Sequence, residues 1–511
     1  TTHCDEAVKR HTASHTFSER PPPLIFSTLL RELDVRTTTG PLDQPVAGLT
    51  LDSRRAGPGI VFFALRGTQT DGHRFIPQVI AAGAAAVVCE EAPVELPDHC
   101  PTAVITVPDS AAALGWAASA FYGHPSQQLT LVGVTGTNGK TTCATLLFRL
   151  FRELGYGCGL LSTVENRLND AVIPATHTTP DAIALNALLR QMVDGGCEYV
   201  FMEVSSHAQS QRRTAGLHFA GGIFTNLTHD HLDYHGTFAA YRDAKKSFFD
   251  QLPELAFALT NADDKNGAVM LQNTRARRRR YSLRGQGDYR ARLLENTVQG
   301  LHLDVNGRDT WFQLLGEFNA YNLLAVFGAA VELGHDPDEA LAALSELATA
   351  PGRFERQTSP DGTRIGIVDY AHTPDALGNV LTTLQQLRRP EQRLITVVGC
   401  GGNRDAAKRP VMGGLAARLS DVAILTADNP RDEDPLEILR QMEAGLRTPA
   451  ERARTRTVPD RRAAIRAAIA EAQPGDIVLV AGKGHEPYQE IKGVKHPFDD
   501  RQELAAALAD R

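Results

Sequence analysis

Hydrophobic positions along this chain follow two alternating rhythms. Short unbroken apolar runs, such as Leu131–Val134, Val200–Val204, Ile365–Val368, Leu394–Val398, Val422–Thr426 and Ile477–Val480, predict strands buried on both faces. Between them apolar residues return at helical spacing. Leu147, Leu150, Phe151 and Leu154 stand at i, i+3, i+4 and i+7 and predict one buried helix face. Strands separated by helix-sized crossovers pair in parallel, so the rhythm predicts an α/β protein with mostly parallel sheets.

The same pattern divides the chain into blocks. At 511 residues it exceeds what one core supports, and three successive units are predicted. Residues 22–127 carry short strands at Val46–Leu51, Ile60–Leu65 and Ala85–Cys89, and the segment 123–128 reads as a linker. A second block covers 128–350. Pro351-Gly352 breaks the pattern, and a third block covers 351–511. The polar stretch 1–21 lacks an apolar core and reads as a disordered leader.

The unusual polar residues sit where strands end. Val134 runs into Thr135–Thr142, Val204 into Ser205-Ser206-His207, and Thr225 into Asn226–His231. In the third block Val368 leads to Asp369–His372, Val398 to Gly399–Gly402, Thr426 to Asp428–Arg431, and Val480 to Gly482–Glu486. Open α/β sheets bind ligands beyond the carboxyl ends of their strands. Two successive sheets loaded in this way predict two domains facing one cleft.

Composition narrows the picture further. Hydrophobic residues at 42% and charged residues at 22% describe an ordinary globular protein, and the net charge of −7 argues against broad nucleic-acid binding. The basic run Arg275–Arg280 is expected to be a solvated loop. The seven cysteines form no C-x-x-C pair, so neither a disulfide framework nor a structural zinc site is expected. No apolar run is long enough for membrane insertion, and a cytoplasmic location is expected.

Between a strand and a helix, Gly136-Thr137-Asn138-Gly139-Lys140-Thr141-Thr142 has the chemistry of a phosphate-binding loop. Its glycines allow backbone N–H groups to close on phosphate oxygens, Lys140 suits the outer phosphates, and Thr141 suits magnesium. Val134 occupies the position where the common motif has its first glycine, so the loop is a variant. Glu203 ends a buried strand, where a carboxylate needs a partner; magnesium is the expected one, and an edge residue turned to solvent is the alternative. The cluster His229–His235 lacks cysteine and is too compact to converge on zinc. One histidine at a magnesium–nucleotide site is expected instead.

Together, Gly136–Thr142, Glu203–His207, Asn226–His231, Gly316–Asn319, Pro351–Arg353 and Asp369–Pro374 resemble the Mur ligase family, from about residue 24 to the C-terminus. The resemblance implies a UDP-binding domain, a central P-loop ATPase domain and a C-terminal Rossmann-like domain. It implies ATP-dependent amide-bond formation on a UDP-linked muramoyl dipeptide, with magnesium, through an acyl phosphate. Asp428–Arg431, Gly402–Asp405 and Gly482–Glu486 are similar to the branch that adds meso-diaminopimelate.

By the same resemblance Leu51, Ser53, Thr68, Gln69, Thr70, Thr178, Thr179, Ser205, Gln211 and Arg213 would hold the UDP precursor. Asn319 and Arg353 would join the phosphate loop around ATP. Arg404, Asp428, Asn429, Pro430, Arg431, Gly482 and Glu486 would hold the amino acid. Lys245, by its own sequence an ordinary helix lysine, would be carbamylated and would join Thr141, Glu203 and His231 around metal. Asn403, Cys143 and Thr68 depart from the family's pattern. The lysine-adding branch is the alternative within the family. Folylpolyglutamate synthase, a P-loop kinase or NTPase of another class, and a noncatalytic nucleotide-binding module are more distant ones.

Overall fold

The strand Thr130–Thr135 is apolar on both faces and needs neighbours on both edges. In the structure, a computed structural model that describes residues 24–67, 70–93, 100–174, 178–228 and 230–510, it pairs in parallel with Tyr199–Glu203 on one side and Gly221–Phe224 on the other. Cys158–Leu161 continues the parallel order on the first side. Phe257–Asn261, Arg277–Ser282 and Tyr289–Thr297 continue it on the second. Antiparallel strands extend both edges, giving an eleven-stranded sheet. The helix Lys140–Glu153 packs on it through Leu147, Leu150 and Phe151, all fully buried, as their spacing predicts.

A six-stranded sheet follows in the third block. Ile365–Asp369, Ile477–Ala481, Leu394–Val398, Val422–Leu425 and Thr455–Thr457 lie parallel in that spatial order, and Glu355–Thr358 adds an antiparallel edge. Apolar residues fill both faces. Leu377, Leu381, Leu384 and Met412, from the helices Pro374–Leu387 and Lys408–Leu419, belong to one core. Ala464, Ile465, Ala468 and Leu504, from Arg461–Glu471 and Asp500–Ala509, belong to the other. A hairpin, Tyr488–Ile491 with Val494–Pro497, stands outside this sheet.

The chain divides into two compact units. One holds the described residues up to His124 with Ala182–Asn186 and Arg212–Leu217, and the other holds both sheets described above. The first unit contains a five-stranded sheet in the order Thr37–Thr39, Ala103–Thr106, Ala86–Cys89, Ile60–Phe63 and Gly48–Thr50. The helix Ser110–Phe121 contributes Ala113, Leu114, Ala117 and Ala118 to its core. Among the described residues, no helix is long and apolar enough to cross a membrane.

Two expectations need correction. The basic run 275–280 is not a loop, because Arg277–Ser282 is a strand paired with Phe257–Asn261. Its charges are compatible with a sheet because Arg277 and Arg279 both pair with Glu332, while Tyr281 turns inward and is fully buried. The predicted strand 46–51 is split into Pro45–Val46 and Gly48–Thr50. The leader 1–21 lies outside the described residues.

Candidate active site

The loop after Thr130–Thr135 takes a shape that two of its glycines permit. Gly136 has φ 151°, and a Cβ there would meet Thr225 Oγ1 at 1.9 Å; Gly139 has φ 87°, and a Cβ there would meet Asn322 Oδ1 at 2.5 Å. The neighbouring loop grips this one. Asn226 Oδ1 accepts from the Asn138 amide at 3.0 Å, and Asn226 Nδ2 donates to the Asn138 carbonyl at 3.0 Å. Thr225 Oγ1 donates to that carbonyl at 2.6 Å, and the hydroxyls of Thr137 and Tyr241 are 3.0 Å apart.

Lys140 opens the helix and folds its ammonium back onto the carbonyls of Gly136 at 3.0 Å and Thr137 at 2.8 Å. Burial lowers its pKa, against the pull of Glu203 and Asp230. Thr141 and Thr142 are buried in the first helical turn. Asn319 lies below, 1% exposed, accepting from Asn322 Nδ2 at 2.9 Å. Cys143, a departure from the family pattern, is buried and donates its thiol to Asn322 Oδ1 at 3.5 Å.

Glu203 is 1% exposed, which rules out an edge residue turned to solvent. Its carboxylate accepts from Thr141 Oγ1 at 2.8 Å, from the Thr163 amide at 2.7 Å and from Thr163 Oγ1 at 3.2 Å. Thr163 Oγ1 also lies 3.1 Å from Thr178 Oγ1. Thr179 donates to the Glu203 carbonyl at 2.8 Å, and its Oγ1 lies 3.5 Å from Ser205 Oγ. Sequence reasoning missed Thr163, although it follows the strand Cys158–Leu161 and so obeys the same carboxyl-end rule.

Lys245, on the helix Phe238–Asp250, is 1% exposed; its Nζ lies 2.8 Å from the Gly136 carbonyl and 4.8 Å from the centre of the Tyr241 ring. The bland reading of an exposed helix lysine is therefore wrong. His231 has φ 54°; its ring stands edge-on to His207 at 4.8 Å, with Nε2 3.4 Å from Asp230. His229 lies outside the described residues. Among the described residues no three His, Cys, Asp or Glu side chains form a metal-binding group. The oxygen pair Thr141–Glu203 nevertheless suits magnesium, which takes one or two protein oxygens and completes its shell with water and phosphate.

Arg353 links the two sheets of this unit. It donates to Thr141 Oγ1 at 3.3 Å and stacks over Tyr370, 4.6 Å from the ring centre. Asp369 accepts from the Phe354 and Ala371 amides, each at 2.8 Å; burial raises its pKa.

At the carboxyl ends of the third-block strands, Asp428, Asn429 and Pro430 are buried and Arg431 is partly buried. Asn429 Nδ2 donates to Glu486 Oε2 at 2.8 Å, joining Asp428–Arg431 to Gly482–Glu486. A Cβ on Gly401 would meet Arg431 Nη1 at 2.9 Å and Arg404 Cγ at 3.8 Å, so both arginines flank that glycine. Arg431 does not pair with Asp432 or Glu433. Asp432 accepts from Asn403 and Glu433 from Arg409, while Arg431 Nε lies 3.3 Å from Glu490 on the hairpin. Sequence reasoning missed both Glu490 and Lys483, whose ammonium lies among Asp428, Asn429 and Glu486.

In the first unit, Asp52 caps the turn Ser53–Arg55, Leu51 is 44% exposed, and the Thr70 carbonyl accepts from the Gly67 amide at 3.1 Å. Arg213 is partly buried in the same unit. Thr68 and Gln69 lie outside the described residues. In the second unit, Gln211 Nε2 donates to the Tyr234 hydroxyl at 3.1 Å.

Three family models match the chain. The Mur ligase family catalytic domain covers residues 45–122, the Mur ligase middle domain 134–330, and the Mur ligase glutamate ligase domain 352–484. A UDP-N-acetylmuramoyl-L-alanyl-D-glutamate–2,6-diaminopimelate ligase of Cytophaga hutchinsonii is 58% identical over 93% of this chain and 96% of its own length. A ligase of the same name from Bacteroides fragilis is 54% identical over 91% and 95%. A solved structure with that title superposes with a TM-score of 0.69 at 34% identity, covering 95% of this chain and 99% of the other. On likeness of that extent, over nearly the whole of both chains, this chain belongs to the Mur ligase family.

Proposed function

We propose that this protein joins meso-2,6-diaminopimelate to UDP-N-acetylmuramoyl-L-alanyl-D-glutamate, with conversion of ATP to ADP and phosphate, as a cytoplasmic step of peptidoglycan precursor synthesis. One observation carries the reading: Arg353, at the start of the third block, donates to Thr141 in the phosphate loop. The loops of the two sheets thus belong to one arrangement, as a two-substrate ligase requires. Two curated relatives, matched over 93% and 91% of the chain, bear the name of this reaction.

We assign the UDP precursor to residues 22–127, ATP to 128–350 and the amino acid to 351–511. A free carboxylate is a poor acylating agent. The D-glutamyl side-chain carboxylate therefore attacks the γ-phosphorus of ATP, ADP leaves, and an acyl phosphate forms. The diaminopimelate amine then attacks the acyl carbon, and phosphate leaves. Lys140 and the amides of 136–142 would balance charge on the transferring phosphoryl group. Thr141 and Glu203, and by the family resemblance His231, would hold magnesium, which when bound neutralises phosphate oxygens. Lys245, as a carbamate, would supply an anion for a second ion. Asn319 and Arg353 would position the nucleotide. Leu51, Ser53, Thr70, Thr178, Thr179, Ser205, Gln211 and Arg213 would hold the precursor. Arg404, Arg431 and Glu486 would read the charged groups of the amino acid.

Phosphate release from ATP, measured with the UDP-dipeptide and a panel of amino acids, tests the proposal. Release that requires both the dipeptide and diaminopimelate is expected. Equal release with L-lysine, or release without any amino acid, would overturn it.

A further inference from the structure

Lys483 is fully buried, at 0% exposure. An ammonium in that position needs acceptors, and it has three: Asn429 Oδ1 at 2.9 Å, Glu486 Oε2 at 3.2 Å and Asp428 Oδ1 at 3.3 Å. The Tyr488 ring lies 5.6 Å away. All three acceptors belong to the loops assigned above to the amino acid.

The other buried cation beside Asp428 is arranged differently. Arg461 is paired through two nitrogens with Asp500, each at 2.7 Å, and donates to the Ala481 carbonyl at 3.0 Å. It has its own counter-ion away from the loops. Lys483 has none among the described residues outside them.

The consequences spread from Asn429. Lys483 can only donate, so it requires the amide oxygen of Asn429, and the amide nitrogen then faces Glu486 Oε2 at 2.8 Å. That same oxygen accepts from the Glu490 backbone amide at 2.9 Å. Glu490 in turn holds Arg431, through its carbonyl to the Arg431 amide at 3.0 Å and its carboxylate to Arg431 Nε at 3.3 Å. Both protein donors to Glu486 fall on Oε2, and Oε1 has no hydrogen-bond partner among the described residues.

We propose that Lys483 is the positioning residue of the amino-acid site: from a buried point it sets the orientation of Asn429, leaves Glu486 Oε1 open to a substrate ammonium, and holds Arg431 through Glu490. The charge balance agrees. Asp428, Glu486 and Lys483 together carry one net negative charge, matched by one ammonium of an incoming amino acid. Without Lys483 the buried carboxylate of Asp428 and the partly buried one of Glu486 would face each other's field. This inference rests on the function proposed above.

Steady-state kinetics of Lys483→Met and Lys483→Gln, with thermal melting of both, tests it. KM for diaminopimelate should rise roughly 100-fold, because a desolvated acceptor set has lost its donor. KM for ATP and for the UDP-dipeptide should stay within about twofold of wild type, since the hydrogen bonds described for the three acceptors run to none of Lys140, Thr141, Asn319 and Arg353. In Lys483→Ala, n-propylammonium should lower the diaminopimelate KM again, whereas tetramethylammonium, which cannot donate, should not. An unchanged diaminopimelate KM, an equal rise in all three KM values, or variants that fail to melt cooperatively would each overturn the assignment. If wild-type enzyme does not use diaminopimelate at all, the proposed function fails rather than this inference.

Discussion

The Nζ of Lys245 donates to the carbonyl of Gly136 across 2.8 Å, from a side chain that is 1% exposed. Burial first, and then the neighbouring Lys140, hold its pKa well below the ordinary lysine range. A neutral amine is the form that captures carbon dioxide, so the setting favours a carbamate chemically. Lys245→Ala is expected to be inactive, and acetate or propionate should restore part of the activity. Wild-type enzyme assayed in buffer stripped of carbon dioxide should lose activity and regain it with bicarbonate. Rates indifferent to bicarbonate would count against the carbamate.

Lys140 is held ready by two loop carbonyls that a triphosphate would replace as its partners. Lys140→Ala should lower kcat by a factor corresponding to about 3 kcal/mol or more of transition-state stabilisation, with little change in melting temperature. Near-normal turnover in a folded variant would remove the loop from the proposed chemistry.

Meso-diaminopimelate and L-lysine differ by one carboxylate at the far end of the side chain. Lysine would leave the remaining N–H groups of Arg431, whose Nε already faces Glu490, without the carboxylate they are proposed to read, and a preference on the order of 10⁴ for diaminopimelate is expected. Arg431→Ala should abolish most of that preference by weakening diaminopimelate addition. Comparable kcat/KM values for both amino acids in wild type would show that Arg431 does not read the carboxylate.

Asp428 supplies a pH signature. Burial alone would raise its pKa, but Lys483 and then Arg461 outweigh burial and hold it below 3.8. A depressed carboxyl contributes stability that is fully present above its unfolded pKa and is lost as pH falls through the folded one. The urea midpoint of wild type should therefore fall on acidification below about pH 4. Asp428→Asn should be less stable at neutral pH and show a shallower acid loss. Parallel pH profiles would contradict this coupling.

The parts of the site legible in the sequence are those with a local cause. Lys140 and Thr141 follow a strand and open a helix, and Glu203 closes a strand, so period and position alone mark them. Leu147, Leu150 and Phe151 announce their face through spacing. What stayed hidden depends on contacts remote in sequence. Arg279 reads as solvated until Glu332, 53 residues away, is brought beside it by the sheet. Lys245 looks like any helix lysine until the Gly136 carbonyl, 109 residues earlier, closes over it. Glu490 sits in a hairpin whose residues alternate weakly, and only its pairing with Arg431 marks it.

Arg431 has φ 51°, a left-handed conformation that costs a residue with a Cβ roughly 1–2 kcal/mol. Glycine at this position would relax that backbone while removing the guanidinium. If Arg431 reads the amino acid as proposed, Arg431→Gly would lose discrimination among amino acids, and the relaxed backbone would be set against the lost contacts of the guanidinium with Glu490 and the Gly402 carbonyl. The left-handed turn at Arg431 is thus held by what it joins, the 399–402 loop through the Gly402 carbonyl and the hairpin through Glu490.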